Sequence, residues 1–233
     1  LTDEQLEWLT NDMQSSDAEW KIVAFHKAVY SNGDHYKDDD VVGLRGQLAT
    51  LMPQLQVDLV LNGHDHVYFR TEPLNNNTVD ADCNHDVIMQ NGTAIVEAMI
   101  NPDGTIYSIN GSAGVKSYTG GSSEETKDYF PDAAATYPSD EPIFTAITIR
   151  DNQLIFKSYA VGDNSALTEI DSFGIIKDFN ELKRGDVDLN GYVNSTDARL
   201  ALRFAVGLDK LTGRSLIAGD VDENGVINST DAR

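Results

Sequence analysis

Apolar positions recur at helical spacing from the start of the chain: Leu6, Leu9 and Met13 fall on one face of residues 3–15. Thr2 and Gln5 have the spacing of a capping box, and Leu1 and Leu6 that of a hydrophobic staple, so a helix is expected at once. The period then changes. "KIVAFH" (21–26) and "VDLVLN" (57–62) are short apolar runs of the kind buried strands show, and residues 43–52 between them read as helical. Strand, helix, strand at this spacing predicts a parallel crossover unit. Beyond residue 70, "NNNTVDADCNHD" (75–86) is polar and reads as a loop. "TAIVEAMI" (93–100), the turn "NPDG" and "TIYSIN" (105–110) follow. "IFTAITIR" (143–150) and "QLIFKSYAV" (153–161) predict a hairpin over Asp151-Asn152, and "LTEIDSFGIIK" (167–177) adds a last strand. The expected fold is a mixed α/β layer followed by an antiparallel sheet. "DFNELKR" (178–184) reads as a connector, and residues 185–233 differ in character.

Residues 186–197 read "DVDLNGYVNSTD" and residues 220–231 read "DVDENGVINSTD", two twelve-residue copies that differ at three positions. Each offers side-chain oxygens at loop positions 1, 3 and 5 (Asp186, Asp188, Asn190; Asp220, Asp222, Asn224) and a glycine at position 6 (Gly191, Gly225). Each lends a backbone carbonyl at position 7 (Tyr192, Val226) and closes with Asp at position 12 (Asp197, Asp231). That is how a hard cation seeking six to eight oxygens is wrapped, which points to two Ca²⁺ sites. Asn194 and Asn228 occupy position 9, where a water often mediates. After the first loop, Leu200, Phe204 and Leu208 form one apolar stripe and Ala198, Leu202 and Val206 another; one is expected to pack inside the module and part of the helix to meet a partner.

The repeat resembles a type I dockerin, the paired Ca²⁺-loop module that docks enzymes onto cohesin modules of a scaffoldin. The resemblance implies a small α-helical module over 185–233, with Ser195, Thr196, Ser229 and Thr230 at the positions that contribute to cohesin recognition. The helix implied after the second loop would lie beyond Arg233, so weakened second-site calcium affinity and weakened cohesin binding are expected. Dockerins also imply an extracellular, cellulosome-type setting linked to polysaccharide catabolism, with a signal peptide upstream.

Composition narrows the remainder. The 233 residues carry a net charge of −21, which disfavours a nucleic-acid partner, and no run approaches the ~18 apolar residues of a membrane span. The single cysteine, Cys83, excludes an intrachain disulfide. His26 ends the first apolar run, and His64 and His66, in "NGHDH", follow the second. Both sets are therefore expected at the carboxyl ends of adjacent strands, where open α/β sheets place their sites. His64 and His66 are two apart, so in an extended loop their rings face one way and Asp65 the other. Neutral imidazoles suit Zn, Fe or Mn. Asp65 is expected to lie behind the ligands or to be exposed; His85 and Cys83 are expected at the surface.

"VAFH" (23–26) and "GHDH" (63–66) resemble the VxxH and GHxH motifs of the calcineurin-like metallophosphoesterases, in particular the purple acid phosphatase-like branch. "LTDEQLEWL", "AVYSNGDH", "VYFRTEP" and "NPDGTIYSINGSAG" fit the surrounding text, so the resemblance covers roughly 1–177, with 178–184 as linker. It implies part of a four-layer αββα β-sandwich. It implies that His26 and His64 ligate one metal and His66 the other, and that His35 faces the phosphate of a small-molecule substrate and protonates the leaving group. The family's bridging carboxylates lie N-terminal to these motifs. The chain is therefore expected to be a piece cut at both ends, inactive or nearly so, from an acid phosphatase-like enzyme. The alternatives are a phosphodiesterase or nucleotidase of the same superfamily, and a non-catalytic cohesin-binding module with a degenerate phosphatase domain.

Overall fold

A computed structural model describes residues 1–114, 116, 118, 120, 123–131, 133–137, 141–178, 183–189, 192–211 and 213–233. The chain forms two compact units: Trp20–Lys177, and Leu1–Glu19 together with Asp178–Arg233.

In the larger unit, β1 (Ile22–Lys27), α2 (Asp39–Gln54) and β2 (Leu59–Gly63) make the expected crossover, and β1 and β2 pair in parallel. (α1, Asp3–Ser15, belongs to the other unit.) α2 starts four residues before the apolar pattern, where Asp39 and Asp40 meet the positive end of the helix dipole. It buries Val41, Leu44, Leu48 and Met52, and the Tyr107 hydroxyl donates to the Leu48 carbonyl at 3.4 Å. The strands β3 (Tyr68–Arg70), β4 (Leu74–Asn75), β5 (Thr78–Val79), β6 (Asn84–Gln90), β7 (Thr93–Ile100) and β8 (Ile106–Asn110) follow. A four-residue helix α3 (Ser123–Thr126), β9 (Ala135–Tyr137), β10 (Ile143–Arg150), β11 (Gln153–Val161) and β12 (Leu167–Ile176) complete the unit.

Among the described residues these strands form two five-stranded sheets, in the orders β1-β2-β8-β3-β9 and β10-β11-β12-β7-β6, beside the small β4-β5 pair. Leu59, Tyr68 and Ile106 of the first pack with Met99, Leu154, Phe156, Phe173 and Ile175 of the second in one buried cluster. With α2 beside the first sheet, the layering runs helix, sheet, sheet. Burying those eight side chains supplies much of the drive to close the sandwich, at roughly 25 cal/mol per Å² of apolar surface.

Three details differ from the sequence pattern. Residues 75–86 are not one loop: Asn76 and Asn77, both at positive φ (48° and 62°), turn the β4–β5 hairpin, and β6 begins at Asn84. Asparagine tolerates that left-handed geometry, so the run "NNN" was a hairpin signal. β7 and β8 do not pair; they lie in different sheets, and β8 runs parallel to β2 (Leu59↔Ile106). The second sheet is not wholly antiparallel either, since β12 pairs in parallel with β7 (Gly174↔Ala98). The predicted β10–β11 hairpin is present over its full length, Ile143↔Ala160 to Arg150↔Gln153.

The sheets are also joined by a buried ion pair. Arg70 Nε donates to Asp171 Oδ2 at 2.6 Å and Nη2 to Oδ1 at 3.2 Å, while the Tyr68 hydroxyl donates to Oδ2 at 2.6 Å. Burial works against the charge on Arg70, but hydrogen bonding and attraction to Asp171 outweigh it and raise its pKa.

In the smaller unit, α1 carries the predicted capping box: Gln5 N donates to Thr2 Oγ1 at 3.3 Å and Thr2 N to Gln5 Oε1 at 2.9 Å. The repeat supplies α4 (Ser195–Ala205) and α5 (Gly213–Gly219). Val187, Ala201 and Ile227 form a small core, with Leu200, Phe204, Leu211 and Ala232 packed around it. Of the two predicted stripes, Leu200 and Phe204 therefore turn inward. Leu208 does not follow them: with Leu202 and Val206 it is exposed. Most of the connector, residues 179–182, lies outside the described residues.

Candidate functional site

The parallel pairing of β1 and β2 brings His26 and the turn after Gly63 to one end of the sheet. The β1–β2 register shifts between Ala24 and Lys27, and this irregularity contains His26. Asn62 stabilises it: its Nδ2 donates to the carbonyls of Phe25 (3.1 Å) and Lys27 (3.3 Å), and its Oδ1 accepts from Val29 N (3.5 Å). Bulges beside sites re-aim side chains, and here His26 meets His64. The sequence signal for Asn62 was a polar residue closing an otherwise apolar strand. His64 itself adopts φ +73°, a left-handed conformation uncommon outside glycine.

His26 Nε2 and His64 Nδ1 lie 3.4 Å apart with rings edge-on, 85° between planes. Two nitrogens on one tetrahedral cation, each at about 2.0–2.1 Å, stand about 3.3–3.4 Å apart. The pair therefore fits one side of such an ion. Burial first, then the neighbouring His35 and Lys27, lowers the His64 pKa and favours the neutral, ligating form. His66 turns elsewhere. Its Nδ1 lies 3.0 Å from the Lys116 carbonyl, and its ring stacks on Tyr118 at 4.9 Å. A carbonyl only accepts, so Nδ1 carries the proton and Nε2 keeps the lone pair, the arrangement common in metal-ligating histidines. His35 stands 4.5 Å from His64 between ring centroids, with Nδ1 2.8 Å from Asp38 Oδ2. Among the described residues, no carboxylate joins these histidines in a group of three ligand atoms within 4.8 Å.

Asp65 is buried (1% exposed) and takes the Ser31 hydroxyl at 2.5 Å, which fits the first of its two expected places and not the second. A Cβ on Gly33 would lie 2.6 Å from Asp65 Oδ1, closer than real contacts allow. Gly33→Ala is accordingly expected to destabilise the larger unit by about 1–3 kcal/mol, measured by urea unfolding. His85 is exposed as expected, whereas Cys83 is half-buried, its sulfur 3.5 Å from the Ile100 carbonyl.

The second site is acidic. Ligand oxygens of Asp186, Asp188 and Asp197 lie within 4.8 Å of one another, as do those of Asp220, Asp222 and Asp231. Oxygens about 2.3–2.6 Å from a shared Ca²⁺ are separated by no more than about 5 Å, so both triads fit the ion. Asp197 accepts from Val187 N (2.8 Å), Asp188 N (3.1 Å) and Asn194 N (2.8 Å). Asp231 repeats this with Val221 N (2.9 Å), Asp222 N (3.3 Å) and Asn228 N (2.9 Å). The Asn228 N–H, with those of Asp222 and Val221, holds the Asp231 carboxyl below its usual range despite burial. Asn224 Oδ1 accepts from Val226 N at 2.9 Å; Asn190 and Gly191 lie outside the described residues. The Tyr192 and Val226 carbonyls each accept from the side-chain amide two residues on. Asn194 caps α4, its side chain accepting from Thr196 N, and Asn228 accepts likewise from Thr230 N, both at 2.8 Å. Ser195, Ser229 and Thr230 are exposed and Thr196 half-buried beside the loops.

With this geometry in view, comparison with known proteins is specific for both segments. Residues 1–68 match the calcineurin-like phosphoesterase family and residues 184–233 the type I dockerin domain. The chain thus carries a calcineurin-like phosphoesterase segment and a type I dockerin segment. Purple acid phosphatase 21 of Arabidopsis thaliana is 35% identical over 81 residues, covering 33% of this chain and 18% of that protein. Purple acid phosphatase 17 of the same plant is 43% identical over 54 residues (23% and 15%), and an uncharacterised protein of Mycobacterium tuberculosis 37% over 75 residues (30% and 14%). The chain therefore spans less than a fifth of the length of these relatives. A purple acid phosphatase from yellow lupin seeds shares the fold, with TM-score 0.56 and 19% identity over 82% of this chain and 31% of that one.

Proposed function

We propose that residues 1–177 serve metal-dependent hydrolysis of phosphate esters and that residues 185–233, joined by 178–184, dock the protein to a cohesin outside the cell. The observation that carries the hydrolytic reading is the His26–His64 pair, whose facing nitrogens lie 3.4 Å apart at the ends of two parallel strands. In this reading His26 and His64 hold one of two cations (Fe, Zn or Mn) and His66, through Nε2, the other. Bound cations would supply an activated hydroxide and polarise the phosphoryl oxygen. His35, its Nδ1 tied to Asp38, passes a proton from Nε2 to the departing alkoxide of a small phosphorylated substrate. The docking reading rests on the doubled Asp triads, which bind Ca²⁺ and present Ser195, Thr196, Ser229 and Thr230 to the cohesin. Among the described residues, no helix is long and apolar enough to cross a membrane.

Zinc calorimetry on the whole chain, with calcium saturating the acidic loops, tests the hydrolytic site. His26→Ala and His64→Ala are each expected to weaken zinc binding by more than the roughly 10–100-fold that loss of an outer-shell partner costs; unchanged affinity in both variants defeats the assignment. Turnover by this chain alone is expected to be slight, since among the described residues no carboxylate completes a group of three ligand atoms with His26, His64 or His66. The same observation favours a second reading, an assembly module whose histidine cluster performs no chemistry. Turnover of a monoester and diester panel by the zinc-loaded chain separates that module from a monoesterase, and a monoesterase from a diesterase or nucleotidase.

A further inference from the structure

The residue between the two histidines of "GHDH" does something neither motif requires. Asp65 is buried, 1% exposed, between two part-exposed histidines. A buried carboxylate is unfavourable unless it is hydrogen-bonded, and among the described residues the donors to its side chain come from the loop that carries His35. Ser31 Oγ donates to Asp65 Oδ2 at 2.5 Å, and His35 N approaches Oδ1 at 3.4 Å. Ser31 Oγ in turn accepts from Gly33 N at 2.8 Å, and position 33 has no room for a side chain against Asp65. Other groups secure this loop near its ends: Arg45 Nε donates to the Val29 carbonyl (2.8 Å), Arg45 Nη2 to the Tyr36 carbonyl (2.7 Å), and Val29 N donates to Asn62. Asp65 grips its middle.

We infer that Asp65 is a positioning residue that fixes residues 31–35 so that the His35 ring stands against His64, coupling the proton-transfer histidine to the metal-ligand turn. The coupling of roles rests on the hydrolytic reading above; the positioning itself does not, because it rests on the contacts of Asp65 with Ser31, Gly33 and His35. The His26–His64 pair is held separately, by Asn62 and the β1–β2 ladder. The two ring contacts therefore respond differently to loss of Asp65.

The test is nuclear Overhauser spectroscopy of the isotope-labelled, metal-free full chain. The wild type is expected to show cross-peaks between ring protons of His35 and His64 and between those of His26 and His64. Asp65→Ala is expected to lose the first and keep the second, and Asp65→Asn, which still accepts from Ser31, to recover the first in part. Retention of the His35–His64 cross-peak in folded Asp65→Ala overturns the inference, and so does loss of both cross-peaks together in a folded protein. If Asp65→Ala does not fold, Ser31→Ala decides: loss of the His35–His64 cross-peak alone supports the assignment, and its persistence refutes it. A failed zinc titration of the wild type would remove the catalytic meaning of the coupling without touching this outcome.

Discussion

Replacing Arg70 by methionine is expected to lower the stability of the larger unit by about 3–5 kcal/mol, the usual cost of stranding one member of a buried ion pair. Among the described residues, Asp171, on β12, would keep the Tyr68 hydroxyl alone as a side-chain partner, in a site where its side chain is 10% exposed. The effect should be large because the pair spans the two sheets: Arg70 and Tyr68 lie on β3 of the first, Asp171 on the second. Urea unfolding followed by tryptophan fluorescence reads it out, since half-buried Trp20 packs against the sandwich core while Trp8 is already 66% exposed. Pairing Arg70→Met with Asp171→Leu should recover much of the loss, because two apolar residues leave no unpaired charge. A single-variant loss below about 1 kcal/mol, the range of an exposed pair, would show that the clamp carries little.

Asp197→Ala should have the second large effect, on the calcium module. The side chain accepts three backbone N–H groups, from Val187, Asp188 and Asn194, and supplies an oxygen to the first acidic triad. Its removal orphans those donors, at about 1–3 kcal/mol for each that stays buried, and deletes a charged ligand. Calcium stoichiometry by calorimetry is expected to fall from two sites to one. The helical far-ultraviolet signal should weaken as α4 loses its capping box, and docking to a cohesin should weaken with it. Asp231→Ala is expected to do the same to the second loop. Two undiminished sites in Asp197→Ala would remove this aspartate from the coordination shell.

What could be read from the sequence was what is local. The α1 capping box, the β10–β11 hairpin and the two Asp triads have their determinants within a dozen residues: the box and the hairpin stand where the pattern put them, and each triad's ligand oxygens lie within 4.8 Å of one another. β6 was hidden because it is almost wholly exposed: only Ile88 of its seven residues is buried, so no apolar alternation marks it. Sheet membership was hidden too. β7 and β8 are neighbours in sequence, yet burial on both faces draws β8 into the first sheet beside β2. At the candidate site, the histidines were legible from the two motifs, and their closeness followed from the parallel crossover. The direction of His66, taken by Lys116 fifty residues away, and the grip of Asp65 on Ser31 are tertiary facts that spacing alone does not encode.

The order of the second sheet has a consequence for how this polypeptide acquires its shape. Its middle strand, β12, is the last of the five to be synthesised, while the hairpins on either side, β6–β7 and β10–β11, are complete earlier. Until β12 inserts between them, β7 and β11 each present an open edge, the kind of template that recruits other chains. Between the making of residue 161 and of residue 176 both of these edges are open, so self-association can compete with folding there.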